Sequence, residues 1–276
     1  MKKRIVFFYI ALTVVLSGQN QLQIQLDYAN RLYSVRQYYD AITEYKRLLF
    51  FDSENKFNYS VNYNIGLCYK EGAIFDEAIK HFSIAEFNSS STQEKYTAKI
   101  EIVKANILRR TTARALQILD EMEKEPLYNS KTDSLFYWRG WAYIFEDRWE
   151  SAAQSFNKIN PYHELKLLSN RVIKEKYSVT FAKVISYILP GMGQIYTGNY
   201  IQGLLSLGYN VLFGYLTIDS ITEGRVFDGI ATGSLLWLRF YRGAVQSAEE
   251  SAIEKNIQVS NKTLRYLQHE YMGAKP

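Results

Sequence analysis

The chain has 276 residues, of which 47% are apolar and 22% charged. That balance excludes global disorder and, at ~150 residues per domain, suggests about two structural units. The formal charge of +5 falls to +2 once Lys2, Lys3 and Arg4 are set aside, and later basic residues gather only in pairs such as Arg109-Arg110, so the sequence lacks the basic footprint of a nucleic-acid binder.

At the N-terminus, Met1-Lys2-Lys3-Arg4 precedes the uncharged stretch Ile5 to Leu16 and then Ser17-Gly18-Gln19. A basic start, an apolar run of about 12 residues and small residues behind it predict a signal peptide over 1–18. An uncleaved anchor is the alternative, although the run is shorter than the ~20 residues of a spanning helix. Either way the remainder is expected outside the cytoplasm. The sole cysteine, Cys68, is far from the cleavage region, so neither a lipoprotein cysteine there nor an intrachain disulfide is expected.

Residues 20–177 repeat themselves. Ala41/Tyr45, Ala78/Phe82, Ala115/Leu119 and Ala152/Phe156 recur at a constant interval of 37, with Ala29, Gly66, Val103 and Gly140 twelve positions before each alanine. Small residues at this spacing predict a two-helix unit in which facing small residues let the backbones approach and the aromatic fills the space beside them. A generic helical bundle is the alternative, but it need not keep a fixed period.

On these residues the segment resembles the tetratricopeptide repeat, whose unit is 34 residues, and the three extra residues are expected in loops. The resemblance implies about four repeats in which the first helix of each pair lines a concave groove. Carried over by position, the groove residues are Gln23, Leu26, Asn30 and Tyr33; Ser60, Tyr63, Leu67 and Lys70; Thr97, Ile100, Lys104 and Ile107; and Ser134, Tyr137, Trp141 and Ile144. Tyr33, Tyr63, Tyr137 and Trp141 are the candidate aromatic anchors, and Lys70 and Lys104 the candidate contacts to an acidic partner. The alternative is that these aromatics pack against neighbouring helices.

Residues 178–243 differ in character. No charge occurs from Val184 to Ile218, and the run is broken at Pro190-Gly191-Met192-Gly193-Gln194 and near Gly198-Asn199. Helices are expected over Tyr177–Leu189 and Ile201–Ile218, with a weaker segment over Val226–Tyr241 that carries Gly229 and Gly233 at a close-packing spacing. Pro190, Gly191, Gly193, Gln194, Tyr196 and Gly198 form a motif similar to the turn of two-transmembrane-helix hairpin domains. In that motif Pro ends one helix, the glycines permit a reversal, and Tyr196 suits a membrane interface. A buried globular helix pair is the alternative. Arg171, Lys174, Lys176 and Lys183 precede the first segment on the exported side, against the positive-inside tendency, and three crossings suit the positions of Arg239, Arg242 and the acidic loop of Asp219, Glu223 and Asp228 better than two. Residues 244–276 read as a polar helical tail.

His81, His163 and His269 are scattered, with His81 expected to be partly exposed, and neither a phosphate-binding loop nor a nucleophile elbow is present. The sequence therefore predicts no enzyme activity, cofactor or metal. The fold expected is all-α: a repeat array followed by a membrane hairpin or three-segment domain. The function expected is a membrane-anchored periplasmic scaffold in the bacterial envelope, whose groove binds a protein partner and which does not bind nucleic acid. The alternative function is a membrane subunit of an envelope transport, export or biogenesis complex recruited by its repeats.

Overall fold

A computed structural model describes residues 21–276, so the leader expected over 1–18 lies outside the described residues. Every regular element among them is helical. The chain divides into two compact units, one ending at Lys166 and also holding Ala274–Pro276, the other Leu167–Gly273.

The first unit begins with helix α1 over residues 21–34. It continues through α2 (Tyr38–Phe51), α3 (Asn58–Glu71), α4 (Phe75–Phe87), α5 (Thr92–Leu108), α6 (Thr112–Lys124), α7 (Thr132–Phe145) and α8 (Trp149–Ile159). From α2 onward, each helix packs against the next in the chain. Ser91 opens α5 by accepting from the Glu94 amide while Glu94 reaches back to the cap, which satisfies two otherwise orphaned donors. Pro126 begins a 3-10 turn after α6, where the chain can no longer continue an α-helix.

The 37-residue interval recurs in the backbone. Arg36, Ala73, Arg110 and Asp147 all adopt left-handed φ values of 57–66°. After each, an amide reaches back five residues: Gln37 to Leu32, Ile74 to Tyr69, Thr111 to Asn106 and Arg148 to Tyr143, at 2.8–2.9 Å. A second bond joins each left-handed residue to the carbonyl three before it. These are the two bonds of a left-handed helix cap, which absorb carbonyls that the helix end leaves unpaired. One turn geometry therefore joins α1 to α2, α3 to α4, α5 to α6 and α7 to α8.

Ala41, Ala78, Ala115 and Ala152 are all fully buried. At the close approach the expected aromatic lies directly against the glycine. The ring of Phe82 itself fills the space beside Gly66, 2.6 Å from where a β-carbon would stand, and Phe156 does the same at Gly140. Glycine accommodates the aromatic edge, and in the third pair Val103 faces the same design problem with the smaller Leu119 at the aromatic position; both are fully buried.

The second unit contains most of α9 (Glu164–Glu175), then α10 (Val179–Ile188), α11 (Met192–Tyr196) and α12 (Tyr200–Thr222). It ends in α13 (Val226–Ala231), a π-helical turn over Thr232–Trp237, and the long α14 (Leu238–His269). Two expectations change here. Helix α10 has ten residues, about 15 Å at 1.5 Å per residue, or half a hydrocarbon core. Among the described residues only α12 is long and apolar enough to cross a membrane. The tail expected from residue 244 is also continuous with what precedes it, because Gly243 lies inside α14.

Candidate functional site

The first helices of the four pairs meet side by side in the first unit. Asn64 on α3 donates to Asn30 on α1, Tyr59 on α3 to the Glu94 carbonyl on α5, and Tyr96 on α5 to Ser134 on α7. Their shared face holds most of the residues that sequence spacing selects, but it does not leave them all open. Tyr33, Tyr63, Lys70, Lys104 and Tyr137 are half-buried. Trp141 is 3% exposed and packs near Phe145, so it belongs to the core. Ile107 and Ile144 at equivalent positions are buried too.

Glu101 organises this face, and the sequence reading missed it. Its carboxylate takes Lys70 Nζ on Oε2 and Lys104 Nζ on Oε1, each at 2.6 Å. The lysines expected to await an acidic partner thus already share a buried carboxylate within the chain. Burial pushes the Glu101 carboxyl up, but attraction and hydrogen bonding from the two lysines outweigh it and hold it below the ordinary carboxylate value. The triad keeps a net single positive charge, and Lys104 also lies 4.6 Å from the Trp138 ring centroid. The missed signal is positional: Glu101 falls three residues before Lys104, one helical turn away.

Tyr33 and Tyr63 lie within electrostatic reach of Glu101. Tyr63 stacks on Tyr59 at 5.9 Å and tilts against Phe82, and burial followed by the Glu101 charge raises its phenol. Burial, then the Glu71 charge, raises Tyr33 likewise. Tyr137 packs against Trp138 and His163, and its hydroxyl donates to the carbonyl of Ala274. His81, expected to be partly exposed, is buried: its Nδ1 sits 2.9 Å from Asn62 Oδ1, and burial, then Lys46 and Lys80, lowers its pKa.

The turn motif occupies the centre of the second unit. Gly191 has a φ of 99° and sits against the Gly203 carbonyl, so a side chain there meets both strain and backbone. Gly193 is enclosed by Ala182, Ser186 and Ala248, and its amide donates to Ser186 Oγ at 2.9 Å. Gln194 is fully buried and donates to the Ala244 carbonyl on α14. Gly198 supplies the left-handed cap of α11 at a φ of 84°, followed by the bond from the Asn199 amide to the Gln194 carbonyl. The Tyr196 ring lies edge-on to Tyr177 and Phe181, while its hydroxyl accepts from the Ser178 amide. Half-buried Pro190 follows the C-cap of α10, Leu189. The motif locks α10, α11 and α14 together through side chains and backbone, a structural task for these residues.

Among the described residues, no group of three or more His, Cys, Asp or Glu is placed to hold a metal ion. Compared with known proteins, the chain matches no family model and no curated protein.

Proposed function

We propose that the chain is a membrane-anchored scaffold of the bacterial envelope, with tetratricopeptide-like helix pairs that bind an extended protein segment along the face of α1, α3, α5 and α7. The observation that carries this reading is the four-fold recurrence of one left-handed turn at a 37-residue interval. It repeats one helix-pair geometry and so sets successive first helices beside one another. Half-buried Tyr33 and Tyr63 supply rigid contact area, and the Lys70–Glu101–Lys104 triad supplies positive charge without free, floppy lysines. A partner that reaches Tyr137 exchanges its own backbone for the Ala274 carbonyl.

Anchoring is inferred from α12, whose outer face presents Ile201, Leu204, Leu205, Val211, Leu212 and Ile218, all at least 48% exposed. Its 23 residues span about 35 Å. Because α10 is too short to cross, a hairpin of α12 and the antiparallel stretch behind it fits the helix lengths better than three crossings. The expected leader would put the repeats on the periplasmic side. The mechanism is tethering, which raises the partner's effective concentration at the membrane. No catalytic step enters it.

A photo-crosslinker at Tyr63 in the full chain, in its native membrane, should capture one discrete protein that the same group at Phe87 does not. Equal capture at both positions contradicts a groove. The second reading, a working membrane subunit, draws on the buried Gln194 and Asn210 of the second unit. Replacing 178–276 by an unrelated anchor separates the two, because a scaffold keeps its function and a membrane subunit loses it.

A further inference from the structure

The second unit treats its cations in two different ways. At the tip of the hairpin, Arg225 is surrounded by Asp219, Glu223 and Asp228 at 2.7–3.7 Å. Further along the chain, Arg239 and Arg242 are exposed and, among the described residues, form no ion pair. The register between the helices is fixed by side-chain contacts: Gly233 lies against Thr217, Phe240 stacks on both Tyr209 and Phe213, and Gln202 donates to Ser247. The two arginines therefore lie level with about residues 208–211, midway along α12, beside an exposed apolar surface that includes Leu204, Leu205 and Leu238.

They also line a cleft of about 680 Å³ with Gln202, Ser206, Ser234 and Ser247. The residues combine two permanent cations with hydroxyl and amide groups. Ser247 accepts from Gln202, so its own hydroxyl proton remains available to a second acceptor. No carboxylate lines the cleft. Guanidinium forks paired with hydroxyl donors match the oxygens of a phosphate. The neighbouring apolar face matches an acyl chain, and an arginine midway along a lipid-facing helix is costly unless an anion pairs with it. A soluble anion would satisfy the first feature and leave the second unused.

We propose that this cleft binds the headgroup phosphate of an anionic phospholipid, held by Arg239 and Arg242 while its acyl chains lie along α12. The site rests on the reading of α12 as membrane-embedded. It would give the anchor a lipid preference, with each cation favouring an anionic headgroup roughly fivefold.

Trp237 is the one tryptophan of the second unit, and Trp138, Trp141 and Trp149 lie in the first. The full chain is reconstituted in phosphatidylcholine vesicles containing a minor fraction of acyl-brominated phosphatidylglycerol or, separately, the same fraction of brominated phosphatidylcholine. Expected is several-fold stronger quenching of Trp237 by the brominated phosphatidylglycerol. That preference should disappear in Arg239→Gln/Arg242→Gln, persist in Arg239→Lys/Arg242→Lys and in Arg225→Gln, and survive millimolar inorganic phosphate. Equal quenching by the two lipids, or a preference retained by the glutamine variant, overturns the proposal. So does displacement by inorganic phosphate, which would mark a soluble-anion site. Vesicles made wholly of brominated phosphatidylcholine test the underlying reading separately: absence of quenching there means that α12 is not in lipid.

Discussion

The two units solve the packing problem in opposite directions. In the first, Trp149, Tyr45, Tyr128, Phe82 and Phe156 are almost or fully inaccessible and form the core, although Tyr39, Phe50 and Phe87 stay exposed. In the second, Ser186, Gln194, Asn210 and Thr217 are buried while Phe227, Ile201 and Ile188 are 79–89% exposed. Water drives apolar groups inward, which accounts for the buried aromatic core of the first unit. A surface like that of the second is stable where the surroundings are themselves apolar and close packing of small and polar groups takes over as the cohesive force. The turns reflect a further contrast, since the repeat caps place Arg, Ala, Arg and Asp in left-handed conformations and the second unit uses Gly191, Gly198 and Gly224.

The strongest way to break the comparison is to delete apolar bulk in each unit. Phe156→Ala empties the space beside Gly140 and should destabilise the first unit by ~3–5 kcal/mol, seen as an earlier loss of near-ultraviolet tryptophan signal on heating. Leu212→Ala, at 48% exposure, should leave the same transition unchanged within about 0.5 kcal/mol. Equal losses would mean that both units bury apolar groups alike.

Adding bulk sharpens it. Gly193→Val forces a side chain into Ala182, Ser186 and Ala248, an overpacking that should cost ~1–3 kcal/mol or more. Gly208→Val meets nothing within 4 Å and should be tolerated. Limited proteolysis within 178–269 reads both, and the difference between them measures how tightly the motif is packed.

Glu101→Gln removes the shared carboxylate and leaves two lysines facing each other, a change expected to cost ~1–3 kcal/mol. The wild-type carboxyl has a lowered folded pKa, so its contribution is fully present above an unfolded value of about 4.5 and is lost as pH falls through the folded value. Melting temperatures of the first unit at descending pH should therefore fall less steeply below 4.5 in the variant than in the wild type. Parallel curves would show that the triad contributes nothing.

The smallest effect has the opposite sign. Ala73→Gly and Arg36→Gly relieve left-handed strain at φ values of 57° and 63° and should stabilise by up to ~1 kcal/mol each, after the entropy that glycine adds to the unfolded chain. Thermal melts of the first unit decide it. A lowered midpoint in both would mean that the native side chains there contribute more than their backbones lose.

These four cap positions also show where the sequence was legible and where it was not. The 37-residue period could be read because buried Ala41, Ala78, Ala115 and Ala152 must all be small. The caps escaped because residues 36, 73, 110 and 147 carry ordinary side chains in a conformation usually signalled by glycine or asparagine. Trp141 was misplaced because a helix offset gives direction but not depth, and Glu101 was missed because its spacing to Lys104 shows one pair while the second lysine, Lys70, joins it only once α3 and α5 are adjacent. The helical start of residues 226–241 was legible. Its merger with the tail was not, since the change from apolar to polar around Gly243 mimics a boundary while no proline or cap interrupts the helix.

The proposal that the first unit faces water and α12 faces lipid can be tested at two exposed apolar residues. Spin labels at Phe87 and Leu212, 89% and 48% exposed, are compared in vesicle-reconstituted full chain by their accessibility to oxygen, which concentrates in lipid, and to a water-soluble nickel chelate. The account predicts that the label at Leu212 meets oxygen and is shielded from nickel, and that the label at Phe87 behaves in the reverse way. Free access of nickel to both positions would contradict it.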